Sequence, residues 1–177
     1  MIVDLQPTLR SSLLELRPLR ADDWAALFAV ASDPLIWAQH PASDRYNEDV
    51  FREFFRVALE TSSAFVAIDL ASGRVIGSSR YADYDAERRE IEIGWSFLAR
   101  SHWGGRYNRE MKRLMVDHAF QFVDRVRFVI GPQNIRSQQA IQRVGGVLLG
   151  PEVVRGQESV VFVIDRNASG SWSVNSE

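Results

Sequence analysis

Hydrophobic positions recur at helical spacing in some segments of this chain and in alternation or short unbroken runs in the segments between them. Leu13 to Leu19 predicts an extended strand ended by Pro18. The acids Asp22 and Asp23 then suit the start of a helix in which Trp24, Leu27, Phe28 and Ala31 share a face, and Asp33-Pro34 stops it after about Ser32. A second helix is predicted from about Asn47 to Leu59 on the stripe Val50, Phe51, Phe54, Phe55 and Ala58. Between them, Ile36 to Tyr46 reads as a loop carrying Trp37, His40 and Tyr46.

From Ala64 the period shortens. Strands are predicted at Ala64–Leu70 and Val75–Tyr84, joined by a turn at Ser72-Gly73, with a third at Arg89–Leu98. A long helix comes next, from about Asn108 to Val123, on Met111, Leu114, Met115, Ala119 and Phe122. Then come a strand at Val126–Ile130, a helix at Asn134–Val144, and strands at Gly146–Leu149 and Ser159–Ile164. This order mixes an antiparallel meander with a strand–helix–strand crossover. It predicts an α+β fold with a mixed, mostly antiparallel sheet of about seven strands and helices on both faces. Residues 1–165 read as one domain, and residues 166–177 as a polar tail, frayed or docked by Trp172 alone.

Composition narrows the chemistry. The 177 residues, 46% hydrophobic, are enough to bury a core without crosslinks. The absence of cysteine removes a thiolate nucleophile, a redox dithiol and cysteine-ligated zinc. With 21 basic and 23 acidic residues the net charge is −2, without the positive surplus that drives nucleic-acid binding, and Lys112 is the only lysine. No apolar run approaches the ~20 residues of a membrane span, and Met1 to Arg20 lacks a secretory pattern. The expectation is a cytoplasmic protein that binds neither nucleic acid nor membrane. His40, His102 and His118 offer no pair with metal-ligand spacing, so no metal site is predicted.

The chemistry concentrates on Glu90–Leu98 and on the loop and helix start immediately after that strand. Alternation puts Ile91, Ile93, Trp95 and Phe97 on one face and Glu90, Glu92, Gly94 and Ser96 on the other. With helices on both faces the two carboxylates point into a covered region, which costs several kcal/mol unless they are paired or lie in a cleft. A cleft is expected there; the alternatives are an edge strand, or pairing with Arg80 or Arg89. The loop His102–Tyr107 holds paired glycines just before a helix, where backbone amides can converge on an anion, and Arg106 and Arg109 add charge. Neither a GxxxxGK[ST] loop nor a GxGxxG fingerprint is present.

Glu92-Ile93-Gly94-Trp95, then Trp103-Gly104-Gly105-Arg106-Tyr107-Asn108-Arg109-Glu110, then Asn134-Ile135-Arg136-Ser137 and Val144-Gly145-Gly146, stand in an order that resembles the GCN5-related N-acetyltransferases. Within them the chain is most similar to the RimJ/RimL-type branch, over about Leu13 to Ile164. The resemblance implies acetyl-CoA as cosubstrate, with its pyrophosphate on the loop amides at Trp103, Gly104, Gly105, Arg106, Tyr107, Asn108 and Arg109. It implies pantetheine along the backbone of Phe97, Leu98 and Ala99, held also by Asn134. Ser137 would protonate the leaving thiolate and Glu92 would take the amine proton.

The acceptor implied is a primary amine, on a protein N-terminus or a small molecule, acetylated directly in a ternary complex; a homodimer is common in the branch. Trp37, Tyr46 and Tyr84 flank the family's acceptor site, and Asp83, Asp85 and Glu87 could attract a cationic acceptor. Without the resemblance, Asn134 is equally a helix cap and Ser137 a small residue at a helix–sheet contact. The chain departs from the family at Arg106, where glycine is usual, and at Asn108, where a small residue is usual. Gly105 is then expected to take the special backbone geometry. That departure motivates an alternative, a non-catalytic acyl-CoA-binding or interaction module on the same fold.

Overall fold

The structure, a computed structural model, describes residues 3–167. The tail containing Trp172 lies outside them. Eight strands form one sheet in the order β1-β2-β3-β4-β5-β6-β8-β7. They are β1 (Leu9–Arg10), β2 (Leu14–Pro18), β3 (Ala64–Asp69), β4 (Val75–Asp85), β5 (Glu90–Leu98), β6 (Arg125–Ile130), β7 (Val147–Val154) and β8 (Gln157–Asp165). The strand beyond the expected seven is β1, which pairs Leu9 with Leu16 and is too short for any alternation to announce. Neighbours are antiparallel except β5 and β6, which the crossover helix makes parallel.

One face is covered by α1 (Trp24–Ala31), α2 (Pro34–Trp37) and α3 (Glu48–Glu60), the other by α4 (Arg106–Ala119) and α5 (Ile135–Arg143). The Ile36–Tyr46 segment is not wholly a loop. Asp33-Pro34 stops α1 and also starts α2, because the Asp33 carboxylate accepts from the Leu35 amide at 3.0 Å and Pro34 presets the first helical φ. The crossover helix begins two residues earlier than its stripe implies and ends at Ala119; Phe122 and Val123 reach the core from the turn beyond it.

Two cores result. Between the sheet and α4, Ile91, Ile93, Met111, Met115, Val126 and Phe162 are buried, and the Tyr81 hydroxyl donates to the Met115 carbonyl at 2.5 Å, tying β4 to α4. On the other face Leu27, Trp37, Phe51 and Phe55 pack with Phe97. Each such side chain contributes about 1.5–3 kcal/mol by leaving water. His118 is half-buried at the edge of this core, its ring against Tyr81 and Phe122 and its Nε2 2.7 Å from the Asp4 carbonyl.

That Phe97 lies in the second core and Ile93 in the first corrects the single face expected for Ile91, Ile93, Trp95 and Phe97. The β4–β5 register runs Ser78↔Phe97 and then Arg80↔Gly94, so Ser79 alone faces both Trp95 and Ser96. This is a β-bulge, with Trp95 in the left-handed region at φ 51°. The extra residue inverts the pleat. Phe97 moves to the α3 side, and Ser96, expected beside Glu92, turns to the α4 side.

Candidate active site

The parallel pairing of β5 with β6 covers only Glu90–Glu92 against Arg125–Arg127. Beyond it β6 stays paired with β8 while β5 follows β4, so the two strands diverge. The gap is a cleft of about 530 Å³, lined by Ile93–Leu98 on one side, Phe128–Gly131 on the other, Gly104 and Gly105 at one end, and Asn134 and Ser137 of α5. Among the described residues its charged lining is Arg109, Lys112, Arg136 and Arg143, with His40 and no carboxylate. Such a cleft attracts a polyanion.

At the glycine end, Gly104 takes the left-handed backbone at φ 83°, so the expectation for Gly105 is corrected. Gly105 is the N-cap of α4, and Arg106 lies in the helix's first turn, where its side chain meets no backbone penalty. The first amides of α4 have no carbonyl partner within the helix and are available to an anion. The Trp103 indole donates to the Leu98 carbonyl at 2.9 Å, and the Arg136 guanidinium lies 4.0 Å over that indole, closing this end of the cleft.

Of the residues the resemblance selects, Phe97, Leu98, Trp103, Gly104, Gly105, Asn108, Arg109, Asn134 and Ser137 line the cleft. Glu92, Ala99, Arg106 and Tyr107 do not. Ala99 spends its amide on the Ile76 carbonyl at 2.7 Å, toward β4, and the Tyr107 hydroxyl donates to Asp69 at 2.8 Å on the flank of the fold. Asn134 does cap α5, its Oδ1 accepting from the Ser137 amide at 3.3 Å, so only its Nδ2 side remains for a ligand.

Glu92 is 5% exposed, and its partner is not Arg80 but Arg155, whose Nη2 donates to Oε2 at 2.5 Å. Arg155 occupies the β7–β8 turn, 63 residues away, and also pairs with Asp83. Only the register of β7 on β8 brings it over β5, which no local pattern announces. Burial pushes the Glu92 carboxyl above its usual range, while Arg155 pulls it back. The carboxylate folds over Gly94, where an added Cβ would lie 3.0 Å from Oε1; Gly94 itself lines the cleft, so Glu92 stands behind the lining rather than in it. Arg80 stacks at 3.7 Å on the ring of Trp95, with Nε and Nη1 buried and unpartnered. Glu90 lies near Arg127 and Arg88. The acids at the end of β4 are engaged as well: Asp83 by Arg155, and Asp85 by the amides of Glu87 and Arg88.

A sheet that opens between neighbouring parallel strands over the N-terminus of the crossover helix is the architecture of the acyl-CoA-dependent N-acyltransferases. The acetyltransferase (GNAT) domain profile matches residues 14–147, and the chain belongs to that family. It is a GNAT-family N-acetyltransferase, and acetyl-CoA is the cosubstrate. Solved structures share the fold. A probable GNAT-family acetyltransferase from Chromobacterium violaceum superposes with a TM-score of 0.79 at 24% identity, covering 94% of this chain and 88% of that one. Mycobacterium smegmatis RimJ, solved with CoA-disulfide, gives 0.70 at 19% identity over 93% and 88%. Spermidine N-acetyltransferase from Vibrio cholerae, solved with CoA and spermine, gives 0.66 at 19% identity over 89% and 98%. No curated protein matches in sequence.

Proposed function

We propose that this protein is a cytoplasmic enzyme of the RimJ/RimL type, its catalytic unit within residues 1–165, that moves the acetyl group of acetyl-CoA directly to a primary amine in a ternary complex. The acceptor is a protein N-terminus or a small-molecule amine. The observation that carries this reading is the basic cleft between β5 and β6, with the buried Glu92 carboxylate folded over Gly94 of its lining.

The CoA phosphates lie on the amides and side chains at Trp103, Gly104, Gly105, Asn108 and Arg109. Pantetheine runs along Phe97 and Leu98 toward Asn134. The amine nitrogen attacks the thioester carbon, the C–N bond forms, the C–S bond breaks, and the amine proton passes to Glu92, directly or through water. An alkylammonium titrates near 10, so a carboxylate raised by burial is a better matched base than an exposed one. Ser137 supplies a proton to the departing thiolate. No cysteine is available for an acyl-enzyme thioester, which agrees with direct transfer. The motive for a non-catalytic module weakens, since Arg106 sits in the helix without strain.

Thiol release across a panel of amines, for wild type and Glu92→Gln, tests the assignment. Turnover with at least one amine is expected, falling about 10²–10⁴-fold in Glu92→Gln. Calorimetric binding of CoA with no turnover on any amine would establish the module instead.

A further inference from the structure

Lys112, the only lysine of the chain, is 3% exposed and lines the cleft. It stands on the inner side of α4 among Met111 and Met115, where packing alone would be served by leucine or methionine. Its Nζ donates to the Ser96 hydroxyl and approaches the Ser79 hydroxyl at 3.5 Å, with the Phe128 ring centred 5.8 Å away. Ser79 and Ser96 are themselves 2.7 Å apart. Among the described residues no carboxylate pairs with Lys112.

A buried ammonium is normally paired, because an isolated one pays its desolvation without return. Here burial brings the amine down to about 7, and the side chain holds its donors ready beside two neutral hydroxyls. The bulge builds this cluster. Without the extra residue at Trp95, Ser96 would face Glu92 rather than α4. The charge is not spent on the CoA phosphates either. Seven residues, about 10 Å of helix, separate Lys112 from the cap of α4, farther than a lysine side chain reaches. The strand segment Gly94–Ser96, which lines the cleft next to Phe97 and Leu98, is within reach of Nζ.

We propose that the acyl pocket also takes, and prefers, an acyl group that ends in a carboxylate, a malonyl- or succinyl-type CoA thioester, whose distal carboxylate is held by Lys112, Ser96 and Ser79. This rests on the reading of the cleft as the acyl-CoA site. The transfer is otherwise unchanged: C–N forms, C–S breaks, the amine proton goes by way of Glu92, CoA leaves as the thiol, and the distal carboxylate stays on the product amide. Acetyl-CoA still fits, but leaves the ammonium unpaired.

The test is calorimetric and needs no acceptor. Succinyl-CoA is compared with butyryl-CoA, which has the same number of acyl carbons and no carboxylate, and with CoA itself, on wild type, Lys112→Met and Ser96→Ala. Wild type is expected to bind succinyl-CoA at least tenfold more tightly than butyryl-CoA. Lys112→Met should lose that ratio, and Ser96→Ala should reduce it. The ratio is taken within each protein, so a general loss of affinity cancels. Equal binding of the two thioesters by wild type overturns the proposal, as does an unchanged ratio in Lys112→Met. Should Lys112→Met fail to fold, the wild-type ratio and Ser96→Ala decide. CoA that does not bind wild type at all removes the reading of the cleft and this proposal with it. CoA that binds without any amine being acylated removes only the transfer reading.

Discussion

Replacing Arg155 by methionine keeps most of the side chain's apolar stem over Trp95 and removes the guanidinium from Glu92. Breaking a fully buried pair costs about 3–5 kcal/mol, because the remaining charge is stranded. Glu92's side chain is 6% exposed but that of Arg155 is 42% exposed, so water already screens one end, and about 1–2 kcal/mol is the expected loss near pH 8. The Asp83 pair is exposed on both sides and adds little, and relief of repulsion between Arg155 and Arg80 offsets part of the loss. The pH dependence is the sharper signature. Burial, with a smaller push from the Asp83 charge, holds the folded-state pKa of Glu92 above its unfolded value, so Glu92 favours the folded state at low pH, and this contribution is lost as pH rises through the raised value. Arg155 opposes that shift in the wild type. Urea unfolding followed by tryptophan fluorescence from pH 5 to pH 8 should show the gap between wild type and Arg155→Met widening with pH. Adding Glu92→Gln to Arg155→Met should close it. A gap of the same size at pH 5 and pH 8, or one that survives Glu92→Gln, would refute the account of Arg155 as the group that keeps Glu92 ionised.

Other perturbations probe the surrounding frame. Gly77→Ala places a Cβ 2.0 Å from the Phe97 carbonyl, so β4 and β5 must separate at the mouth of the bulge; a loss of about 3 kcal/mol is expected, visible as a melting temperature lower by about 6–12 °C. Tyr81→Phe removes the donor to the Met115 carbonyl and should cost about 1 kcal/mol in a denaturant titration, with the fold intact. Lys112 titrates near 7 when folded and near its ordinary value when unfolded, so the unfolded chain binds the extra proton between those limits. Wild-type stability should therefore rise with pH above 7, by up to about 1.4 kcal/mol per pH unit, and Lys112→Met should lack that slope.

The helices and strands with long apolar stripes were legible in the sequence because each buries one face against a large partner; α3 and the β3–β4 hairpin match their patterns closely. Two features were not. The bulge at Trp95 adds one residue opposite Ser79 inside a run that alternates well on paper, and a period-two argument has no way to register an insertion that only the partner strand reveals. The pairing of Glu92 with Arg155 depends on β7 returning along β8, a contact between distant parts of the chain. The site shows the same division. Gly104, Asn134 and Ser137 were visible as local motifs, and all three line the cleft. Lys112 stood out in the sequence only for being the sole lysine, because it falls outside the apolar stripe of α4 and only the parting of the strands beneath the helix brings it into the cleft.

The seam between β5 and β6 is three residues long on each strand, lengthened only by the Arg89 carbonyl, which accepts from the Asp124 and Arg125 amides, and among the described residues it is the one place where strands β1–β5 pair with β6–β8. The sheet is in effect two plates on a short hinge, with α4 and α5 bracing the open side. Hydrogen bonds from a ligand laid along the edge of β5 would act as rungs of a missing ladder, so occupancy would stiffen the protein as a whole. Slow hydrogen exchange should spread outward from the hinge into both plates when the cleft is filled, and melting should become more cooperative, with the cosubstrate serving mechanically as a ninth strand.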